Sequence, residues 1–469
     1  MKKLLDKFSK KTIWLIIIIF SIVYSFISIV KHNHFQTGLD LGIYVQTFWS
    51  YIHLTLPRVT FYPTNGDLVW ADHFTPSLIL LAPFYFIWSD PKILLILQAV
   101  LIVIGGYPIY SLAKELLKNE FLSLSIVLSY LLFFGTQFAL TFDFHSATYG
   151  AIFLPWLFLF MFRKKWKSFL IIFLIAMGAK EDMPLLLSAI SIYLVLTKKN
   201  IPLGIFLSVV SILYVYLVTK FIMPSLSVLS AKIYYTPSLP KGVIDTLSVF
   251  IDSPIKVKTL MLSFASFLFL PFLSGWFLIV AIFHFFINFI SKEFSGRWDI
   301  YLHYRIHLAS ILAVGTILGT QKLLVHIKNY DKNMVANILE ITLLIATLGL
   351  DILLHLPVNT LLKPAFYRNE QWMSDNFDVM KKIPKYAYLL TQNDLAPHVA
   401  NRKNLFYFPT NLDKAEYIFL DLRANQPIVN FWLSGLQDKT ESDVDLLIKR
   451  GKFTIDYQKG RTFLLKRAN

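Results

Sequence analysis

The sequence predicts an α-helical polytopic membrane protein with a small α/β domain at its C-terminal end. Apolar residues make up 56% of the 469-residue chain and charged ones only 16%, where a soluble chain would carry about a quarter charged residues. Runs such as Thr12 to Val30, Ile93 to Tyr110 and Phe121 to Leu140 approach the roughly 20 apolar residues that cross about 30 Å of hydrocarbon. Such runs recur until Pro357, after which the composition turns to mixed polar sequence. A soluble enzyme, a coiled coil and a disordered scaffold are thereby excluded.

Lys2, Lys3, Lys7, Lys10 and Lys11 precede the first run. They place the N-terminus inside, and with no small-residue cleavage site after it the run reads as a retained signal anchor. A large, aromatic-rich first outer loop, 31–91, follows. Within it Pro76 to Trp88 is too short to cross and is bounded by prolines, which predicts a helix in or beside the interface. With that piece out of the membrane, the later crossings put Lys114 and Lys118, then Arg163, Lys164, Lys165 and Lys167, then Lys198 and Lys199, then Lys322, Lys328 and Lys332 inside.

About eleven spans result, near 12–30, 92–112, 121–140, 147–162, 168–180, 183–197, 201–222, 259–273, 276–290, 305–321 and 335–356. The outer side then holds 31–91, the turn 141–146, the loop 223–258 and the loop 291–304. The hairpin at Lys180, Glu181 and Asp182 opens the same way. The chain divides into a transmembrane domain, 1–356, and an extracytoplasmic α/β domain, 357–469. In the latter, strands are expected at Ala387–Thr391, Leu405–Phe408, Glu416–Asp421, Phe453–Tyr457 and Thr462–Lys466, with helices near Asn393–Ala400 and Asp443–Arg450.

The net charge of +16 is gathered in short segments between apolar runs. That is an orientation signal at an anionic membrane face, and it points away from nucleic acid as a partner. The absence of cysteine removes disulfides, thiolate metal sites and cysteine nucleophiles. No P-loop, Rossmann fingerprint, HExxH or GxSxG occurs, which argues against soluble-type nucleotide or dinucleotide chemistry.

The scarce polar residues on the expected outer side are the candidates for chemistry. Asp40, between Gly38 and Gly42, suits either an N-cap for a helix from Leu41 to Ser50 or a carboxylate that deprotonates a hydroxyl or orients a metal ion. Asp72 and His73 suit a divalent ion or a phosphate, or a cap for the helix that Pro76 begins. Lys180, Glu181 and Asp182 form either a polar site within the bundle or a structural ion pair at a helix break. Arg297, His303 and Arg305 offer donors for phosphate oxygens, or an interfacial belt with their aromatic neighbours. His145 closes the 141–146 turn.

The order of these motifs resembles the DUF2079 family of predicted multi-pass membrane proteins. The resemblance rests on Gly38-Leu39-Asp40-Leu41-Gly42-Ile43 with Gln46 and Trp49, His73-Phe74-Thr75-Pro76, Leu81-Ala82-Pro83-Phe84-Tyr85, Phe144-His145, Lys180-Glu181-Asp182 and His303-Tyr304. In the tail it continues through Ile383-Pro384, Leu395-Ala396-Pro397-His398 and Glu416-Tyr417-Ile418-Phe419-Leu420-Asp421.

It implies a GT-C glycosyltransferase-like protein that takes a sugar from a polyprenyl-phosphate donor to a glycan, lipid or protein acceptor by inverting displacement. Asp40 matches the first-loop carboxylate and becomes the expected base. His73, His145, Lys180, Glu181, Arg297, His303 and Arg305 become expected substrate-binding residues. The loop lacks an Asp-x-Asp pair; a divalent cation, Mg or Mn, would then fall to Asp72, His73 and Glu181. A transporter or lipid flippase, or a non-catalytic scaffold, is the rival reading; the one-sided placement of the polar residues and the lack of an inverted repeat speak against a carrier.

Overall fold

The structure is a computed structural model and describes residues 2–61, 68–227, 240–290, 295–327, 331–431, 433 and 435–468. The side chains of Lys2, Lys3, Lys7 and Lys10, the residues 228–239 and 291–294 of the expected outer loops, and Lys328 lie outside the described residues.

Helix α1 (Lys2–Asn33) shows how the bundle is built. Ile13, Ile17, Tyr24 and Ile27 are buried, while Leu15, Ile18, Ile19, Ile22 and Phe26 are exposed. Both sets follow helical spacing, so the outward face is as apolar as the inward one. That pattern suits hydrocarbon outside and protein inside. The helix ending Ile201–Leu217 exposes Ile205, Phe206, Val209 and Ile212 in the same way, and Lys332–Leu353 exposes Ile338, Ile341, Ile345 and Ile352.

Among the described residues, six helices are long and apolar enough to cross a membrane, or seven if the pair Glu120–Leu132 and Phe134–Leu140, bent by 48°, is one span. The runs expected near 147–162, 168–180 and 183–197 form shorter apolar helices, Ser146–Phe162, Trp166–Met177 and Met183–Leu196. The run expected at 259–273 is not one helix. Pro254–Ala265 ends before Leu268 and Phe269, both at positive φ, and a tight 3-10 stretch, Leu270–Phe277, begins there. Pro271 falls at the start of the 3-10 stretch, where its missing N–H costs nothing, and so favours a new helical start there over continuation of the preceding helix. The Pro76 segment is a 3-10 turn, Pro76–Leu81, followed by a short helix, Ala82–Ile87, with Ile79, Leu80, Phe84, Phe86 and Ile87 exposed.

The central helix, Ile306–His326, is buried along most of its length. It packs against the Leu270–Phe277 stretch at Gly315 and Gly319, and a Cβ on Gly319 would collide with the Leu270 carbonyl oxygen. Backbone cannot yield there as a flexible side chain would. Gly319→Ala is therefore expected to cost about 1–3 kcal/mol and lower the melting temperature of the purified protein in detergent; an unchanged melting curve would contradict this packing.

Beyond Leu353 two 3-10 turns, Pro357–Leu362 and Pro364–Tyr367, lead to the helix Gln371–Met380 and a five-stranded sheet. Its strands are β1 (Leu389–Thr391), β2 (Leu405–Tyr407), β3 (Tyr417–Asp421), β4 (Phe453–Lys459) and β5 (Thr462–Arg467), in the order β2-β1-β3-β5-β4. β1 runs parallel to β2 and β3, and β5 runs antiparallel to β3 and β4. The helix Gln437–Lys449 covers the sheet near β4, while the expected helix 393–400 shortens to Ala396–Val399.

This domain docks on the 31–91 segment. Gln46 Nε2 donates to the Arg402 and Lys403 carbonyls, Thr60 Oγ1 donates to the Leu405 carbonyl at 2.6 Å, and Tyr85 donates to Asn401 Oδ1 at 2.5 Å. These bonds fix the C-terminal domain over the segment that carries Asp40.

Candidate functional site

The site begins at the N-terminus of α2 (Leu39–Ile52). The first turn of a helix leaves backbone N–H groups without helical partners, and here a distant carboxylate takes them: Gly38 N–H and Leu41 N–H donate to Asp143 Oδ2 at 3.0 and 3.2 Å. Asp143 thus does the capping that Asp40 was the local candidate for. Asp40, in the first turn of the helix, is left half-buried with its carboxyl on the wall of a cavity of about 590 Å³. Replacing Asp143 by Ala is expected to cost about 1 kcal/mol of stability and to lower activity more than stability, since the cap sets the angle at which α2 presents Asp40. Equal losses in a thermal melt and a rate assay would deny Asp143 that role.

The same turn delivers His145. Its Nδ1 accepts from the Ala147 N–H at 3.1 Å, and its ring stacks on His303 with centroids 3.6 Å apart. Both ring nitrogens of His303 are buried without a hydrogen-bond partner. Asp40, His145 and His303 each bring one ligand atom within 4.8 Å of the others. Burial, followed by the neighbouring cations, holds both imidazoles well below their usual pKa and hence neutral.

His73 stands on the next wall, its ring 5.5 Å from that of His145. Its Nδ1 lies 3.1 Å from Glu181 Oε1, the Phe74 N–H donates to Glu181 Oε2 at 3.1 Å, and Asp72 is 3.9 Å away. Burial opposes the charged ring, but the Asp72 and Glu181 carboxylates outweigh it, and the pKa is pushed up to about 8. Asp72, His73 and Glu181, the expected cation set, therefore lie together on this wall. Asp40 experiences burial and then the Asp143 carboxylate, which outweigh His73 and Lys180 and raise it to about 7.

Lys180 pairs with Asp182 at 3.2 Å. Burial works against its charge, yet Asp182 and Glu181 raise its pKa, so the ammonium stays charged. Lys180 and Asp182 line a small pocket of about 30 Å³ with His284, Asn288, Tyr304 and His307. Arg297 lies over the Tyr304 ring at 5.4 Å and adds a second positive charge. Neither Arg297 nor Arg305 is among the residues that line the two cavities; Arg305 has a structural place. It is fully buried, donates to the Arg297 carbonyl and packs against Phe285 and Phe289, so it braces the 297 turn.

Asp40, His73, His145, Lys180, Glu181, Arg297 and His303 therefore meet at one end of the bundle. Sequence reasoning had no hold on His307, which sits inside an apolar run, or on the pairing of Asp143 with residues 105 and 102 positions away.

The profile of the family described as "Predicted membrane protein (DUF2079)" matches residues 31–461. The chain belongs to the DUF2079 family. Among solved structures, this DUF2079 chain is similar to ArnT from Cupriavidus metallidurans in the apo state, with a TM-score of 0.54 and 10% identity over 92% of this chain and 93% of that one. At that identity the likeness is one of fold. No curated protein matches the DUF2079 chain in sequence.

Proposed function

We propose that the protein is a membrane glycosyltransferase that moves a sugar from a polyprenyl-phosphate donor to an acceptor hydroxyl on the outer face of a prokaryotic cytoplasmic membrane. The observation that carries the reading is the position of Asp40, a carboxyl with a pKa of about 7 on the wall of an open cavity and within reach of the His73 and Lys180 charges. Asp40 takes the proton of the acceptor hydroxyl as its oxygen bonds to the anomeric carbon. The bond from that carbon to the phosphate oxygen breaks, and polyprenyl phosphate leaves with the electron pair. A single displacement of this kind inverts the anomeric centre. Lys180 and Arg297 stabilise the charge gathering on the phosphate, and entry of the phosphate requires the small pocket around Lys180 to widen. His73, charged between Asp72 and Glu181, adds positive potential beside Asp40. The basic segments between spans support an orientation with the N-terminus inside and the C-terminal domain outside.

Asp40, His145 and His303 would hold a divalent cation, and with the ion bound the Asp40 carboxyl is a ligand rather than a free base. Two neutral imidazoles and a carboxylate suit a zinc-class ion more than Mg, and the partnerless nitrogens of His303 await a partner of that kind. His145 contributes less freely, because its Nδ1 is engaged by Ala147. When bound, such an ion supplies charge stabilisation at the site. Metal analysis of purified protein is expected to find about one zinc-class ion per chain, lost in His303→Ala; retention in that variant would remove His303 from the set.

The reading itself is tested by incubating the purified protein with radiolabelled polyprenyl-phosphate sugar and membrane extract. Label moving to a product supports it; intact donor opposes it.

A further inference from the structure

We propose that the cavity of about 590 Å³ between residues 34–40 and the C-terminal domain is the acceptor subsite, shaped for an uncharged, hydroxyl-rich sugar, with Asp394 as the residue that orients it. The assignment rests on the transferase reading for its role and on separate observations for its chemistry. Its volume falls in the range of roughly 300–1,000 Å³ found for small-molecule sites. Asp40 and Asp394 both line it, so a ligand seated against Asp394 shares one cavity with the base.

Asp394 is only 3% exposed. Its Oδ1 accepts from Gln392 Nε2 at 2.9 Å, while Oδ2 is buried with no hydrogen-bond partner. A buried carboxyl oxygen left open is costly unless something donates to it, and the cavity that Asp394 lines is where such a donor can come from. Burial, with Asp421 adding to it, raises the pKa of Asp394 to about 7, which strengthens its need for a partner that does not compete as a charge. A sugar hydroxyl meets that need.

The rest of the lining narrows the class. Asp40, Asp143 and Asp394 place three carboxyl groups on the wall. The one guanidinium there, Arg423, is already bound to Asp421 through Nε at 2.8 Å and lies flat on the Trp372 ring at 3.2 Å. Among the described lining residues a phosphorylated or acidic acceptor would face three carboxyl groups, with Arg423 already engaged and His34 held by Asn369. A fatty chain would match Phe35, Leu39, Phe142 and Val429 but would leave Thr37, Asn393, Asn430 and the carboxyl groups facing it without partners. Polar groups set beside a fixed aromatic–guanidinium stack are what a neutral sugar ring can use, through hydroxyl hydrogen bonds on its edge and apolar contact on its face. The wall is also closely built: a Cβ on Gly38 would lie 2.9 Å from Asn393 Nδ2.

The test is saturation-transfer NMR on the full chain in detergent. The probes are maltotriose, cellotriose, mannotriose and triacetylchitotriose as neutral sugars, mannose 6-phosphate as an anionic one and a Gly-Ser-Gly peptide. At least one neutral trisaccharide is expected to receive saturation. Its affinity should fall about tenfold in Asp394→Asn, which turns the open acceptor into a donor. Binding should vanish in Val429→Trp, where an exposed residue at the cavity wall can carry a large side chain without disturbing a buried contact. Silence from every neutral sugar, equal binding in both variants, or binding of only mannose 6-phosphate or the peptide would overturn the proposal. Donor cleavage is followed in the same preparation. Sugar binding without donor cleavage supports the subsite and removes the transferase reading, whereas donor cleavage without sugar binding overturns the subsite alone.

Discussion

Asp40→Asn is expected to lower sugar transfer by about 10²–10⁴-fold while leaving the thermal melt close to that of the parent. The two effects separate because Asp40 carries no structural duty in the helix it begins: the Gly38 and Leu41 amides are held by Asp143, and an amide fits the space of a carboxyl. Lost is the ability to take a proton. The wild type should show the same dependence through pH. In the metal-free protein Asp40 must be deprotonated to act, and its pKa is about 7, so kcat/KM of the metal-free protein rises as pH passes through about 7. His73 supplies positive charge only while protonated, with a pKa of about 8, so the rate falls again above that value. A narrow bell between these limits is expected, and Asp40→Asn should lose its rising limb in whatever activity remains. A pH profile flat from 6 to 9 would contradict both assignments.

Lys180→Met is expected to reduce turnover by about 10²–10³-fold. Lys180 is buried, charged, and on the wall of the cationic pocket, where a developing phosphate charge is poorly screened by water. This substitution also leaves Asp182 without its partner. Burial alone would raise the Asp182 carboxyl, but Lys180 and then Arg297 hold it near 2. Part of the damage is therefore to folding, and a second variant separates the parts. Lys180→Met combined with Asp182→Asn removes the orphaned charge, so it should recover the melting temperature but not the rate. Recovery of both would make the pair structural and leave the leaving phosphate to other residues.

Legibility from sequence followed the range of the interactions that shape each element. The β-strands were readable because alternation and turn residues are local, and β3 at Tyr417–Asp421 and β5 at Thr462–Arg467 lie within a residue of expectation. The long spans were readable for a similar reason, as composition alone places them. The break after Ala265 was harder, since the apolar run continues unaltered through Leu268 and Phe269 and only Pro271 marks the stop.

At the site, residue types next to glycine or at a helix break pointed to Asp40, His73, Lys180 and Glu181. What sequence could not show was partnership. Asp40 and Asp143 are alike as aspartates, and only the fold decides which one caps α2 and which faces the cavity. His73 is flanked by Asp72 and by the distant Glu181, and only the first of these partners is visible in sequence. Arg305 and Arg297, close in sequence, point to different duties because one guanidinium is folded under the other's carbonyl. Asp394 gave no local signal, since its significance lies in the cavity that two distant segments make together.

The most direct test of the account is a single-turnover measurement with the purified protein and the Asp40→Asn variant side by side, following labelled polyprenyl-phosphate sugar, freed polyprenyl phosphate and labelled product. The account predicts one sugar transferred for each polyprenyl phosphate released by the wild type, and almost none by the variant. Equal rates in the two proteins, or a donor that the wild type leaves intact, would contradict it.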